Sequence, residues 1–166
     1  MIHRLGVLSD THGRTASCAR AVARLREIGV DAIVHLGDVG TRAVLEELVG
    51  EPPAQVVFGN CDDEDDLGPY AACLGIAVHH PLGRLDVAGR SVGFTHGHLP
   101  AAVASSIGRD DLLLVGHTHR ITDERHGRTR VVNPGALFRA GRYTCGLIDG
   151  PDLRVSWIDV GHDEAT

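Results

Sequence analysis

Lysine is absent. All 16 cationic residues of the 166-residue chain are arginines, and 22 acids leave a net charge of −6. The missing lysine reads as the mark of a genome with biased base composition rather than as a functional trait. The acidic balance argues against binding to long nucleic acid or to a membrane surface, both of which favour clustered cationic charge. It does not exclude a small phosphorylated substrate held by metal ions. Long apolar runs are missing too. No window approaches the ~18 apolar residues of a membrane span. Asp10 interrupts MIHRLGVLSD where the apolar segment of an export signal would continue. The expectation is a cytoplasmic protein with no membrane partner.

Paired cysteines are also lacking. Cys18, Cys61, Cys73 and Cys145 form no C-x-x-C pair and no zinc-finger spacing, and a cytoplasmic chain of this size needs no disulfides. Cys18, Cys73 and Cys145 are expected to be small core hydrophobes. Cys61 differs because of its neighbours. The sequence has no internal repeat, low-complexity linker or composition break, so a single domain over residues 1–166 is expected, long enough for a substantial core.

The first third of the chain alternates. Strands are predicted over 2–9, 31–38 and 54–60, and helices over 14–29 and 41–50. In the first helix Ala19, Val22, Ala23, Leu25 and Ile28 recur at helical spacing, and Gly29 is a stop signal. This β-α-β-α-β order implies parallel strands with helical crossovers. The remainder reads as strands over 76–82, 84–89, 90–97, 110–117, 120–135, 142–150 and 153–161, with helix only at 69–75 and 100–108. The expectation is an α/β chain: a parallel half and a mostly antiparallel half forming a two-sheet β-sandwich with helices outside. The apolar segment 100–108 could be core or the contact surface of a homo-oligomer.

Polar residues collect where apolar strands end: Asp10-Thr11-His12, Gly37-Asp38, Gly59-Asn60-Cys61-Asp62, Thr95-His96-Gly97-His98 and Gly116-His117-Thr118-His119. Ligands of open α/β sheets bind beyond the carboxyl ends of the strands, so one pocket can gather all five clusters. Asp10, His12, Asp38, Asn60, His96, His117 and His119 are oxygen and imidazole donors, which suit Mn, Fe, Zn, Ni or Co. Seven donors exceed one site with open positions and match two metals sharing a bridging carboxylate. Two-metal sites hold their ions ~3.5–4 Å apart and clamp the oxygens of a displacement at phosphorus. On extended backbone residues i and i+2 share a side, so D-x-H and H-x-H would each face one site. The glycines let backbone pass close by. Taken singly, Gly-Asp and Gly-Asn are ordinary turn pairs and a lone His is a capping or surface residue. Five such clusters at successive strand ends favour the metal reading.

These ordered blocks, D-x-H, G-D, G-N-C-D, H-G and G-H-T-H, with VVNPGA at 131–136, resemble those of the calcineurin-like metallophosphoesterases, most closely the short single-domain bacterial and archaeal phosphodiesterase branch. The resemblance implies a four-layer α/β/β/α fold. It implies that Asp10, His12 and His119 hold one divalent metal, that Asn60, His96 and His117 hold another, and that Asp38 bridges them, with Mn first among the candidate ions. The implied reaction is hydrolysis of a small phosphodiester by in-line attack of a metal-activated water. Larger relatives carry a His directly after the Asn, where it is thought to protonate the leaving group. Here Cys61 stands there, and a thiol is a poor general acid for an alkoxide. Good leaving groups, or protonation by another residue such as His98, are then expected. Asn60 and His98 are the candidate catalytic residues.

Other polar residues have plainer readings. The acidic run 62–66 is expected to be a solvated turn, with Asp62 orienting the Asn60 loop. His3 and His35 read as structural, and His79 and His80 as edge or loop residues before Pro81. Arg14 and Arg120 flank the clusters and are either phosphate contacts or solvated side chains. Asn133 either supports the site or simply turns the chain. A rival class of function is a protein-interaction scaffold, because the retromer scaffold subunit resembles the same branch; there ligand positions are partly replaced, whereas all seven are present here. A nuclease of the superfamily is disfavoured by charge and length, and a protein phosphatase by Cys61.

Overall fold

The computed structural model describes residues 1–162. In chain order its elements are β1 (Arg4–Leu8), α1 (Thr15–Ile28), β2 (Ala32–His35), α2 (Arg42–Glu47), β3 (Ala54–Val56), α3 (Glu64–Cys73), β4 (Ala77–Val78), β5 (Leu82–Val87), β6 (Arg90–Thr95), α4 (Pro100–Ala104), β7 (Leu112–Leu114), β8 (Ile121–His126), β9 (Thr129–Pro134), β10 (Thr144–Asp149) and β11 (Arg154–Asp159). They build two sheets, ordered β11-β10-β1-β2-β3-β4 and β5-β6-β7-β9-β8.

Alternation along the strands makes the layers. Leu5 and Val7 of β1, with Ala32 and Val34 of β2, face Val92 and Phe94 of β6 and Leu112 and Leu114 of β7 in a core between the sheets. Leu8 and Ile33 point the other way and pack under α1, α2 and α3. On the far side, Gly93 is covered by Ser106 and Asp110 from the turn after α4; a Cβ there would sit 2.8 Å from both side chains. The expected α/β two-sheet sandwich with outer helices is what the chain forms, though the layer over the second sheet is thin.

Several local expectations are corrected. α1 buries Ser17, Cys18, Ala21, Val22 and Leu25, a stripe rotated from the predicted one, so Ala23 is exposed. It ends as expected: Gly29 is left-handed at φ 78, and its N–H bonds the carbonyls of Leu25 and Arg26. The second half is mostly antiparallel, as expected, through the pairs β5–β6, β8–β9 and β10–β11; what differs is that β6, β7 and β9 run parallel and that β10 returns to pair antiparallel with β1 in the first sheet. The strand predicted over 120–135 is a hairpin of β8 and β9. The run 62–66 is solvated as expected but is not a turn: Glu64, Asp65 and Asp66 open α3, whose N-cap Asp63 accepts from the Asp66 N–H. Acids in a first helical turn complement the positive end of the helix dipole, and Asp66 also pairs with Arg42. Cys18 and Cys145 are buried, but Cys73 is exposed. Among the described residues no helix is long and apolar enough to cross a membrane.

Candidate metal centre

The carboxyl ends of β1, β2, β3, β6 and β7 deliver all seven candidate ligands to one place, and they do so through turns rather than extended strand. Asp10 (φ 55), His12 (φ 46), Asp38 (φ 52), His117 (φ 69) and His119 (φ 59) are all left-handed. The i, i+2 explanation of D-x-H and H-x-H is thereby corrected. Non-glycine residues avoid this region and hold it only where surroundings enforce it. Here long-range hydrogen bonds do so: the Asp10 N–H donates to the Gly37 carbonyl at 3.0 Å and the His12 N–H to the Asp38 carbonyl at 2.8 Å. Glycine is required at two contacts. A Cβ on Gly59 would lie 2.1 Å from Asp38 Oδ1, and one on Gly116 2.1 Å from Ser9 Oγ.

Two donor groups result. In the first, Asp10 Oδ1 is 3.3 Å from His119 Nε2 and 4.0 Å from His12 Nε2, and the two ring nitrogens are 3.3 Å apart. Ligands ~2.1 Å from a shared tetrahedral ion lie ~3.4 Å from one another, so these spacings fit one divalent cation. Asp10 Oδ1 is buried and makes no hydrogen bond within the protein, an arrangement that is costly unless a donor or a cation meets it. Its other oxygen accepts from Ser9 Oγ at 2.5 Å and from the His117 N–H at 3.0 Å. In the second group, His96 Nδ1 donates to the Leu36 carbonyl at 2.8 Å, which leaves Nε2 facing Asn60 Oδ1 at 3.2 Å and Asp38 Oδ2 at 3.5 Å. The His117 ring is 5.1 Å from that of His96. Asp38 Oδ2 lies between the groups, also 3.4 Å from His12 Nε2.

The local electrostatics are those of a cation site. Burial raises the Asp38 carboxyl, but hydrogen bonds from His96 and the Cys61 N–H, with the charges of His96 and His12, hold it well below the usual carboxylate range. Burial lowers His96, but Asp38, Asp10 and the Leu36 carbonyl outweigh it and its affinity for a proton rises. The carboxylates that favour a proton on His96 would favour a cation there as well. Beneath the centre, His35 is fully buried and lowered to about 3, first by desolvation and then by His96. It accepts from the Gly37 N–H through Nδ1 and meets Thr11 Oγ1 through Nε2, a structural role as expected.

His98 lies beside the second group, its ring 5.2 Å from His96 and 6.3 Å from His117. Burial and those neighbouring histidines lower it. Cys61 is exposed, its thiol falls in one cluster with His12 and Asp38, and burial together with Asp38 raises it. Asp62 does orient the Asn60 loop, accepting from the N–H groups of Gly59 (2.9 Å) and Gly40 (2.8 Å). Asn133 both turns the chain and supports the site. It accepts from the Gly135 N–H, and its Nδ2 donates to the Gly116 carbonyl at 2.8 Å and to Thr118 Oγ1 at 3.1 Å. Sequence reasoning missed Ser9, Thr11 and Phe138, whose ring is 5.1 Å from that of His12. It also missed the stacking of His80 on His98 at 6.4 Å, with His80 held by Glu64 at 3.1 Å. Only the strand-end position of Ser9 and Thr11 could have signalled them.

The chain is similar to several known proteins. Residues 4–149 match the calcineurin-like phosphoesterase superfamily domain. Phosphodiesterase YfcE of Escherichia coli K12 is 30% identical over 152 residues, spanning 81% of this chain and 79% of that protein. The structure of an archaeal phosphodiesterase superposes with a TM-score of 0.83 at 24% identity, covering 94% of this chain and 99% of that one. Vps29 of Entamoeba histolytica complexed with zinc has the same fold, with a TM-score of 0.63 at 18% identity over 95% of this chain and 99% of that one.

Proposed function

The chain belongs to the calcineurin-like phosphoesterase superfamily, and from that premise we propose that it is a dimetal phosphodiesterase acting on small phosphodiesters. The observation that carries the reading is the placement of Asp38. One carboxylate oxygen stands 3.4 Å from a nitrogen of His12 and 3.5 Å from a nitrogen of His96, so each donor group includes the same oxygen. Asp10, His12 and His119 would hold one ion, Asn60, His96 and His117 the other, and Asp38 both. Bound divalent ions supply Lewis-acid activation of water and charge neutralisation at phosphorus. The mixed oxygen and imidazole donors suit Mn first, with Fe, Ni, Co or Zn as alternatives.

The chain's own groups set the rest. The Leu36 carbonyl fixes the ring of His96, and Asn133 fixes the turn that carries His117 and His119. Asn60 presents its carbonyl oxygen to the second group and is, with His98, the candidate for contacting the reacting phosphate. Cys61 donates its backbone N–H to Asp38 Oδ1 at 2.9 Å, while its thiol, a weak acid, is a poor proton donor to an alkoxide. Good leaving groups follow from that. Full occupancy of the seven ligand positions by metal-binding residues favours an enzyme over a scaffold, within one domain and without a membrane or long nucleic acid as partner.

The test is hydrolysis of bis(4-nitrophenyl) phosphate beside 4-nitrophenyl phosphate by chelator-stripped protein with each divalent metal restored. Metal-restored turnover that favours the diester is expected. Full activity in stripped protein would refute metal dependence, and no turnover with any metal by folded protein would return the weight to the scaffold reading.

A further inference from the structure

Most guanidinium groups of this chain are engaged by carboxylates, as in Arg84–Asp110, Arg130–Asp123 and Arg142–Asp159, or by carbonyl oxygens, as in Arg26 and Arg125. Apart from Arg109 on the turn after α4, the arginines left without such a partner among the described residues are Arg14, Arg120 and Arg139. All three border the first donor group. Arg14 and Arg139 each stand 5.0 Å from the centre of the Phe138 ring, and that ring is 5.1 Å from the ring of His12. Arg120 directly follows His119. Together Arg120 and His119 line a cavity of about 460 Å³, with Ile121, Gly135, Ala140 and Arg142 among its other walls. Ile121 is a large apolar side chain left 42% exposed.

Three features of this cavity bear on its occupant. Its wall includes a candidate metal ligand, His119, so it adjoins the donor groups. It is an open cleft of small-molecule size, in which Ile121, Gly135, Ala140 and Gly141 offer apolar surface beside the cationic Arg120 and Arg142. Its free charge is cationic in a chain of net charge −6. Unpaired guanidinium groups beside a site steer and hold anions, and they pair phosphate or carboxylate through parallel N–H donors. Two divalent ions in the donor groups would already meet the single negative charge of a simple phosphodiester, so these arginines imply a second one.

We propose that this cavity is the subsite for the retained arm of the substrate. It takes an arm with a compact, partly apolar body that carries a second anionic group, phosphate or carboxylate, which Arg120 contacts while Arg14 and Arg139 supply the surrounding positive field. The inference rests on the phosphodiesterase reading above and narrows its substrate class.

The test uses two chromogenic diesters with one leaving group: thymidine 5′-(4-nitrophenyl phosphate) and its 3′-phosphorylated form. In metal-loaded wild type, kcat/KM is expected to be about tenfold higher for the 3′-phosphorylated form, expressed in KM, as a charge-assisted contact predicts. Arg120→Ala should bring that ratio close to one, and Arg120→Lys should restore part of it. A second readout needs no turnover: equilibrium binding of thymidine 3′,5′-bisphosphate and thymidine 5′-monophosphate to metal-free protein. The bisphosphate should bind about tenfold more tightly, and Arg120→Ala should erase the difference. Equal kcat/KM and equal binding of each pair, or a loss in Arg120→Ala that is the same for both members, would overturn the subsite. Absent turnover of bis(4-nitrophenyl) phosphate would instead overturn the phosphodiesterase reading, and the binding pair would then decide the subsite alone.

Discussion

The Nε2 atoms of His12 and His119 face one another at 3.3 Å, although 107 residues separate them in sequence. Two ring nitrogens at that distance, both beside Asp10 Oδ1, repel unless a proton or a cation lies between them. A metal satisfies all three atoms at once. On the dimetal reading, His119→Ala should therefore leave one bound Mn per chain where wild type takes up two, and lower kcat/KM by more than ~100-fold, the upper figure for loss of a merely supporting contact. Elemental analysis of dialysed protein, beside the diester assay, checks both. Two ions retained with unchanged turnover would remove His119 from the first site.

Asp38 serves both donor groups, so its replacement should cost more than that of either neighbour. Asp38→Asn keeps the size and loses the charge. Both ions should be lost, and the stabilisation that metal adds to wild type by mass action should vanish. Thermal melts with and without added Mn measure this: the midpoint should rise with metal in wild type and stay fixed in Asp38→Asn.

The buried His35 predicts an acid sensitivity. Its folded-state pKa is lowered from 6.5 to about 3, so between those values the unfolded chain binds a proton that the folded chain refuses. Stability is then highest above pH 6.5 and falls as pH drops through the window toward 3. Urea unfolding of chelated protein at pH 7 and pH 4.5 should show that loss. His35→Gln, which cannot titrate, should be less stable at pH 7 but lose less on acidification. An equal slope in both proteins would assign the acid sensitivity elsewhere.

Gly59 admits no side chain, because its Cβ would meet Asp38 Oδ1 at 2.1 Å and the Asp38 backbone N at 2.5 Å. Gly59→Ala should displace the carboxylate that both donor groups share. Destabilisation of ~1–3 kcal/mol is expected from overpacking, with weaker metal binding measured by titration.

What the sequence disclosed and what it concealed follow the range of the interactions. β1 through β3 with their helices were legible because local periodicity and Gly29 decide them. The ligand types and order were legible because each cluster follows its own apolar strand. The reason for D-x-H was not, since the left-handed turns at Asp10 and His12 are held by Gly37 and Asp38, some 27 residues away. The return of β10 to β1 was hidden for the same reason. The Arg120 cavity was hidden because it exists only where the segment after His119 meets the loop after Gly135.

Cys61 gives the last prediction. Its backbone N–H holds Asp38 Oδ1 at 2.9 Å, a contact that any residue but proline can make, whereas its thiol is a weak acid that yields its proton reluctantly. The thiol thus contributes little to departure of an alkoxide, and the rate should fall steeply as the leaving group becomes more basic. Cys61→His keeps the backbone contact and introduces a group that titrates near neutrality. It should leave the 4-nitrophenyl diester nearly unchanged, since 4-nitrophenolate departs unaided, and raise turnover of a dialkyl diester, which must expel an alkoxide, by ~10²-fold, the lower range for general acid catalysis. The readout is the slope of log kcat/KM against leaving-group pKa, which should flatten in the variant. An unaltered slope would mean that another group, His98 foremost, already delivers the proton, and His98→Ala would then steepen the slope in wild type.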